Sequence, residues 1–555
     1  MRDHLLQHLL ERSANEFPHK TAVLFKDESI TYSRLDRLSS ALAGRLTQLG
    51  IRRGDRVGIL FHKSIESIIA LFAILKAGAI YVPLDPSAPA VRIRNIISNC
   101  GIKYLVTTDR QLVTSLSASE EMPAIDKAVV IGRNRGQLIG MNISPDYFSP
   151  DDTTDSDQAD FHPVDMSDSS PAYILHTSGS TGNPKGVAIS HLNALTFIDM
   201  AADFFEITSE DRFCSHAPLH FDLSVFDIFV AVKRGATIVL LPELYSTFPA
   251  KLAAYVASER ITVWNSVSSV LKMLADKGGL NQHRFDSLRI VHFSGDLMPV
   301  KYLRILTKHM NNASFFNIYG QTEANSSMCY PIRELPDSDS WRIPIGRPFP
   351  NFEVFALNEK HTIIKETGEE GELYVGSSSV ALGYWGDTSK TSDRFVPDPR
   401  CPFLDNIVYK TGDLVRIDEN GDYVFTGRTD HMVKSRGYRI ELSEIEIALS
   451  GHPEIASAVA TAIPDDLIGN RIGVTIVRTN DSSLGKEDII RFCALRLPRY
   501  MIPEIVKFRD SLPMTSSGKV DRKQLDVSFP ASAAGATGDW GTEILTDMPT
   551  EATAG

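Results

Sequence analysis

Apolar positions in the first 140 residues switch repeatedly between two periods. From 32 to 49 they recur every three or four residues, the spacing of an amphipathic helix with one core-facing stripe. After the turn Arg53-Gly54-Asp55, a continuous apolar run over 56–61 predicts a buried strand. Residues 64–77 predict a second helix, stopped by Gly78, and 79–82 a further strand. Strand–helix–strand alternation of this kind predicts α/β layers with mostly parallel sheets. The longest greasy stretch, 68–75, is far shorter than the roughly 20 residues that cross a bilayer, so a core helix is expected and no membrane span.

The alternation breaks at 143–170. There Asp146, Asp151, Asp152, Asp155, Asp157 and Asp160 lie among Ser, Thr and Pro, which predicts a solvated loop. It resumes at Tyr173. A second change of composition falls at 427–430, and 433–477 reads as the start of a small α+β unit. Beyond Val527 the chain turns to Ala, Gly, Thr and Pro, which predicts a disordered tail. A chain of 555 residues exceeds what one core serves, so at least two domains are expected.

Composition narrows the class. A net charge of −12 gives a nucleic-acid role no electrostatic support. Cys100, Cys214, Cys329, Cys401 and Cys493 are scattered without a CxxC pair, which argues against a disulfide framework or zinc site and fits a reducing compartment. The charged start Met1-Arg2-Asp3 and the absence of a long apolar core after it predict no signal peptide, hence a cytoplasmic protein.

The strongest chemical signal is an apolar strand from Tyr173 that runs into Thr177-Ser178-Gly179-Ser180-Thr181-Gly182 and then Asn-Pro-Lys185-Gly186. Glycines let a backbone approach an anion and turn its N–H groups inward, and the hydroxyls and lysine add donors for phosphate oxygens. It is not a Walker A loop, because its lysine follows proline, and neither a GxSxG elbow nor a GxGxxG fingerprint is present.

This stretch resembles the phosphate loop of the superfamily of acyl- and aryl-CoA synthetases, luciferases and peptide-synthetase adenylation domains. Five further segments are similar to that superfamily's motifs, in the same order: Leu75 to Pro86, His220 to Phe226, Asn317 to Glu323, Tyr409 to Leu414 and Gly427 to Glu441. Pro513 to Asp521 resembles the C-terminal motif that carries the catalytic lysine. The resemblance covers roughly residues 10–526. It implies a large N-terminal domain (1–429) of layered α/β subdomains with mostly parallel sheets and a β-barrel-like part. A small mobile C-terminal α+β domain (430–529) would follow, and then the tail (530–555).

The resemblance also implies roles. ATP and Mg2+ would be bound by Thr177, Ser178, Gly179, Ser180, Thr181, Gly182, Asn317, Tyr319, Gly320, Thr322, Asp413 and Arg428, with Glu323 on the metal. Asp413, a carboxylate at a Thr-Gly turn, suits two ribose hydroxyls, and a single carboxylate such as Glu323 suits magnesium. The catalytic set would be Lys185, Glu323, Lys434 and Lys519, the last stabilising charge that builds between substrate carboxylate and α-phosphate. Asp430 would be the hinge about which the small domain turns, and Gly437 would line a tunnel for a pantetheine thiol.

By the same resemblance Asp222 accepts a substrate ammonium, which fatty-acyl and aryl relatives do not require. Asp222 and Phe226 share a face if the segment is helical. Leu223, Asn265, His292, Ser294, Ile318, Ser326 and Ser327 would complete the pocket. The implied reaction is adenylation of proline, alanine or another small amino acid, then transfer to a phosphopantetheine thiol. No phosphopantetheine attachment motif is present, so a separate carrier protein is expected. A β-amino-acid ligase, an acyl- or aryl-CoA ligase and a non-enzymatic nucleotide sensor remain the alternatives; Asp222 argues against the CoA ligase, and the intact Lys185, Glu323, Asp413 and Lys519 argue against the sensor.

Overall fold

The computed structural model describes residues 3–116, 125–132, 145–151, 164–179, 182–339, 341–430, 432–479, 482–513, 520 and 522–526. Its first sheet has eight strands, in the order Gly383–Tyr384, Lys185–Ser190, Pro171–Thr177, Ile80–Leu84, Arg56–Leu60, Tyr104–Thr107, Lys127–Ile131 and Pro145–Phe148. All its neighbours from Pro171–Thr177 to Pro145–Phe148 are parallel. The second has nine strands, with a parallel run of Ser314–Gln321, Ile290–Ser294, Val263–Val267, Arg212–Ser215, Thr237–Leu240 and Thr21–Phe25.

Between the sheets lies one core that joins Val57, Ile59 and Tyr173 of the first to Val23, Phe213 and Ile238 of the second. The helix Ile65–Lys76 runs through it with every residue buried except Glu66. Ser64 caps its start through a reciprocal bond with Ser67, and Gly78 follows its end at φ +71. Lys76 is buried there too, its ammonium satisfied by the Asp36 carboxylate at 2.6 Å and the Ser40 hydroxyl at 2.8 Å. This is the segment read as a core helix, and among the described residues no helix is long and apolar enough to cross a membrane.

The barrel-like part expected from the resemblance is a five-stranded antiparallel sheet built around the long strand Ile407–Ile417. From Met432 onward the chain forms a hairpin, Met432–Ser435 with Tyr438–Glu441, and a three-stranded sheet covered by the helices Leu442–Ser450 and Lys486–Ala494. Ile440, Ile445, Leu449, Ile472, Val474, Ile489 and Met501 give this part a core of its own.

One expectation needs correction. The stretch 143–170 is not wholly loop: Pro145–Phe148 is the outer strand of the first sheet, and Asp146 pairs with Arg45 at 2.6 Å. Four residues with one inward side chain, Phe148, carry too little alternation to reveal an edge strand. Residues 152–163 and the tail 530–555 lie outside the described residues.

Candidate active site

A cavity of about 120 Å³ opens at the C-terminal ends of the parallel strands of the second sheet, where ligands of open α/β sheets bind. Alternation along these strands decides what it meets. Asn265, His292 and Phe316 are direct cross-strand neighbours on one face, with Ser294 and Ile318 two residues further along. The cavity is also lined by Asp222, Leu223, Phe226, Ser326, Thr177 and Ser178. Sites proposed from sequence positions more than 140 residues apart thus converge on one hollow.

Asp222 and Phe226 reach it from a segment that begins as α-helix at Leu223–Val225 and widens to a π-turn at Phe226–Val230. Such a turn is uncommon and concentrates at functional sites. Asp222 makes no helix-capping bond; its Oδ2 accepts the Thr322 hydroxyl at 2.6 Å. Burial raises its carboxyl above the ordinary range, against the opposing pull of that hydroxyl. A cation placed beside it would restore the ionised form. Ser327 does not line the cavity: at a bulge in the strand Asn325–Ile332 it is buried and bonds the Tyr319 carbonyl, so its place in the pocket set is withdrawn.

The opposite face of the strand Ser314–Gln321 serves a polar cluster. Tyr319 packs on Met328, Ile345 and Val415, and its hydroxyl donates to Asp413 Oδ2 at 2.5 Å. Gln321 donates to the same oxygen at 2.8 Å, Arg428 pairs with Asp413 Oδ1, and Asn317 donates to the Pro344 carbonyl at 2.8 Å. Gly320 is required by the tight turn between them: a Cβ there would lie 2.1 Å from the Asn325 carbonyl oxygen.

Arg428 also grips Asp430, Nε to Oδ1 and Nη2 to Oδ2 both at 2.7 Å, and Arg394 adds a third contact at 2.9 Å. Burial works to raise the Asp430 carboxyl, but the two guanidinium groups outweigh it and hold it at about 2. The residue expected to be a hinge is thereby pinned.

Beyond Asp430 the hairpin 432–441 folds back onto the phosphate loop. Gly437, at φ +79, sits so close to Val267 that a Cβ would lie 2.5 Å from its Cγ1, and its N–H donates to Asp296 Oδ2 at 2.8 Å. Lys434 lines the cavity. Arg439 donates to both oxygens of Glu323 at 2.9 Å, and Tyr384 donates to Oε1 at 2.7 Å. Burial favours protonation of Glu323, yet Arg439 and Lys185 prevail and keep it below the ordinary range. Lys185 reaches Glu441 at 3.2 Å; burial and the nearby Arg439 lower its own pKa.

The loop itself lies between the antiparallel strands Pro171–Thr177 and Lys185–Ser190. The Gly179 N–H donates to Glu444 Oε2 at 3.0 Å, whose other oxygen pairs with Arg92 at 2.7 Å, while Ile447 covers Gly182. A carboxylate already satisfies the donors that a phosphate would use, which is what an anion cradle should accept. Ser180, Thr181 and Lys519 lie outside the described residues. Local sequence gave no sign of Arg92, Asp296, Tyr384, Glu441 or Glu444, because each is defined by a partner at least 61 residues away.

Among the described residues no group of three or more His, Cys, Asp or Glu could hold a metal alone. One buried carboxylate, Glu323, with a guanidinium now against both its oxygens, does fit a Mg2+ that takes its remaining ligands from phosphate and water.

A layered, mostly parallel α/β fold thus sets a glycine- and hydroxyl-rich loop beside a carboxylate-bearing cavity, an arrangement suited to an anionic ligand with a cationic group. The AMP-binding enzyme family model matches residues 10–385, and the AMP-binding enzyme C-terminal domain model matches 444–519. The chain belongs to the AMP-binding enzyme family. It is 35% identical over 522 residues to an L-proline–[L-prolyl-carrier protein] ligase of Pseudomonas fluorescens, covering 93% of this chain and 98% of that protein. A ligase of the same name from Streptomyces coelicolor is 33% identical, with 92% and 94% covered. Among solved structures, NpsA-ThdA, an artificially fused adenylation–PCP di-domain from Klebsiella oxytoca, superposes with a TM-score of 0.75 at 26% identity, over 91% of this chain and 93% of that one.

Proposed function

We propose that this enzyme adenylates an amino acid with ATP and then transfers the aminoacyl group to the phosphopantetheine thiol of a separate carrier protein. The carrying observation is Asp222, a carboxylate on the wall of a cavity that also exposes Thr177 and Ser178 of the phosphate loop. It gives the cavity a place for an ammonium at one end and an acyl phosphate at the other. The full-length likeness to two carrier-protein ligases supports the same reading.

In the first step a substrate carboxylate oxygen attacks the α-phosphorus of ATP and pyrophosphate leaves. Asp222 orients the substrate through its ammonium, while Lys185 and the loop N–H groups hold phosphate oxygens. Glu323 would hold Mg2+, which when bound offsets phosphate charge. In the second step a thiolate attacks the acyl carbonyl and AMP leaves. Residues 430–529 would turn about Asp430 between the steps, to present Lys519 for the first and Gly437 for the second. The contact of Gly437 with Val267 and Asp296 fits the second orientation.

ATP–pyrophosphate exchange over an amino-acid panel, followed by acyl transfer to phosphopantetheinylated carrier proteins and to coenzyme A, tests the reading. Exchange with amino acids and transfer to a carrier are expected. Exchange only with fatty or benzoic acids, or transfer to coenzyme A as efficient as to any carrier, would overturn it.

A further inference from the structure

His292 sits in the floor of the cavity and is 2% exposed. Its ring is boxed by Phe205, Phe226 and Phe316, with centroids at 4.1, 4.9 and 5.7 Å. Its Nε2 is buried and has no hydrogen-bond partner among the described residues. Buried polar atoms are almost always paired, and an apolar side chain would fill an aromatic box without leaving one unpaired. The neighbour in register, Asn265, directs its amide N–H to the Leu223 carbonyl at 3.4 Å and makes no bond to Nε2.

We propose that the substrate amino acid carries a short, uncharged side chain ending in a hydroxyl or thiol, and that the His292 imidazole selects it by hydrogen bonding. The proposal rests on the amino-acid reading above and refines it. A hydroxyl or thiol both donates and accepts, so it serves either tautomer of a neutral imidazole. The ring is neutral because burial pushes its pKa down to about 3.

Charged partners for a substrate side chain are few among the described residues. Among the described residues Asp222 is the only acid lining the cavity, and it is taken by the α-ammonium. Of the cationic residues that line it, Arg439 is engaged by Glu323, and Lys434 stands in the field of Asp222 and Asp296. On this side the cavity is walled by the rings of Phe197, Phe226 and Phe349, which crowd a long side chain. In this respect the enzyme departs from its prolyl relatives, whose named substrate has no side-chain donor or acceptor.

Pyrophosphate exchange with matched pairs tests it: L-serine against L-alanine, L-threonine against L-valine, L-cysteine against L-2-aminobutyrate, with L-proline alongside. The polar member of at least one pair should exceed its apolar partner, and proline, by roughly 10- to 100-fold in kcat/KM, the scale of one buried hydrogen bond made or left unmade. His292→Leu should invert that preference, while His292→Asn, which keeps a donor and an acceptor, should retain part of it. Turnover of the apolar partner by His292→Leu reports that the variant is folded. Preference of the wild type for alanine, valine or proline overturns the proposal and leaves the amino-acid reading standing. Exchange with no amino acid overturns both. An unchanged polar preference in His292→Leu removes His292 from the selection.

Discussion

The cavity floor and the seam between the hairpin 432–441 and the phosphate loop use polar groups in opposite ways. The floor sets a carboxylate, Asp222, and the imidazole of His292, whose Nε2 is unpaired, among phenylalanine rings. The seam is dense with closed pairs: Arg439 with Glu323, Lys185 with Glu441, Arg92 with Glu444, Arg428 with Asp413 and Asp430. A group left unpaired in a dry pocket gains most when the right ligand arrives, so it discriminates. Complete ion pairs at a partly buried seam largely offset their own desolvation, so one set can be exchanged for another at small cost, although removing a single partner is costly. The first arrangement suits selection, and the second suits an exchange of partners.

The largest expected effect breaks the floor. Asp222→Ala removes the only acid on the cavity wall among the described residues and leaves a desolvated substrate ammonium unpaired, a loss of about 3–5 kcal/mol. Pyrophosphate exchange should fall by two to three orders of magnitude or more. A fall of less than tenfold would mean that the ammonium is bound elsewhere.

Next is Lys519→Ala. Losing one transition-state charge contact should cut adenylate formation by roughly 10²–10³. Thioester formation from a pre-made aminoacyl adenylate should persist if, as proposed, that step uses another orientation of the small domain. Equal losses in both half-reactions would argue against two orientations.

A third test sharpens the seam through pH. The Asp430 carboxyl, held at about 2 beside Arg428 and Arg394, titrates below the ordinary carboxylate value near 4. A depressed pKa contributes stability that is present above pH 4 and lost as pH falls toward 2. The amount is about 2 kcal/mol. Asp430→Asn should therefore lower the urea unfolding midpoint at pH 6, and the gap from wild type should close by pH 2–3. A gap independent of pH would show that packing, and not charge, fixes the hinge.

The smallest effect concerns Asp296. Its bond to the Gly437 N–H fastens the hairpin in the orientation described here. Asp296→Ala should slow thioester formation roughly tenfold, the scale of one hydrogen bond, with exchange unaffected. Slowed exchange instead would assign Asp296 to the first step.

Much of the molecule was legible from the chain alone. The helix at 65–76 announced itself as a continuous apolar run between Ser64 and Gly78, since a helix buried all round needs no polar face. The strand leading into the loop at 177–186 was legible as well, because an apolar run ending in glycines and hydroxyls is a local pattern. The edge strand Pro145–Phe148 was misread, being too short for its period to count. Ser327 was misplaced because a bulge between Tyr319 and Gly320 shifts the register, and one residue of slip reverses the face.

The sequence by itself determined the element types, the order of the motifs, the family they belong to and the residue types available for catalysis. These depend on spacing along one segment. Only the tertiary structure decided that Asn265 and His292 lie side by side, that Nε2 of His292 is unpaired, and that Glu441 and Glu444 close on the phosphate loop. Such facts depend on register and on contacts between segments up to 265 residues apart, and burial, which sets the value of every one of those polar groups, exists only once the chain has folded.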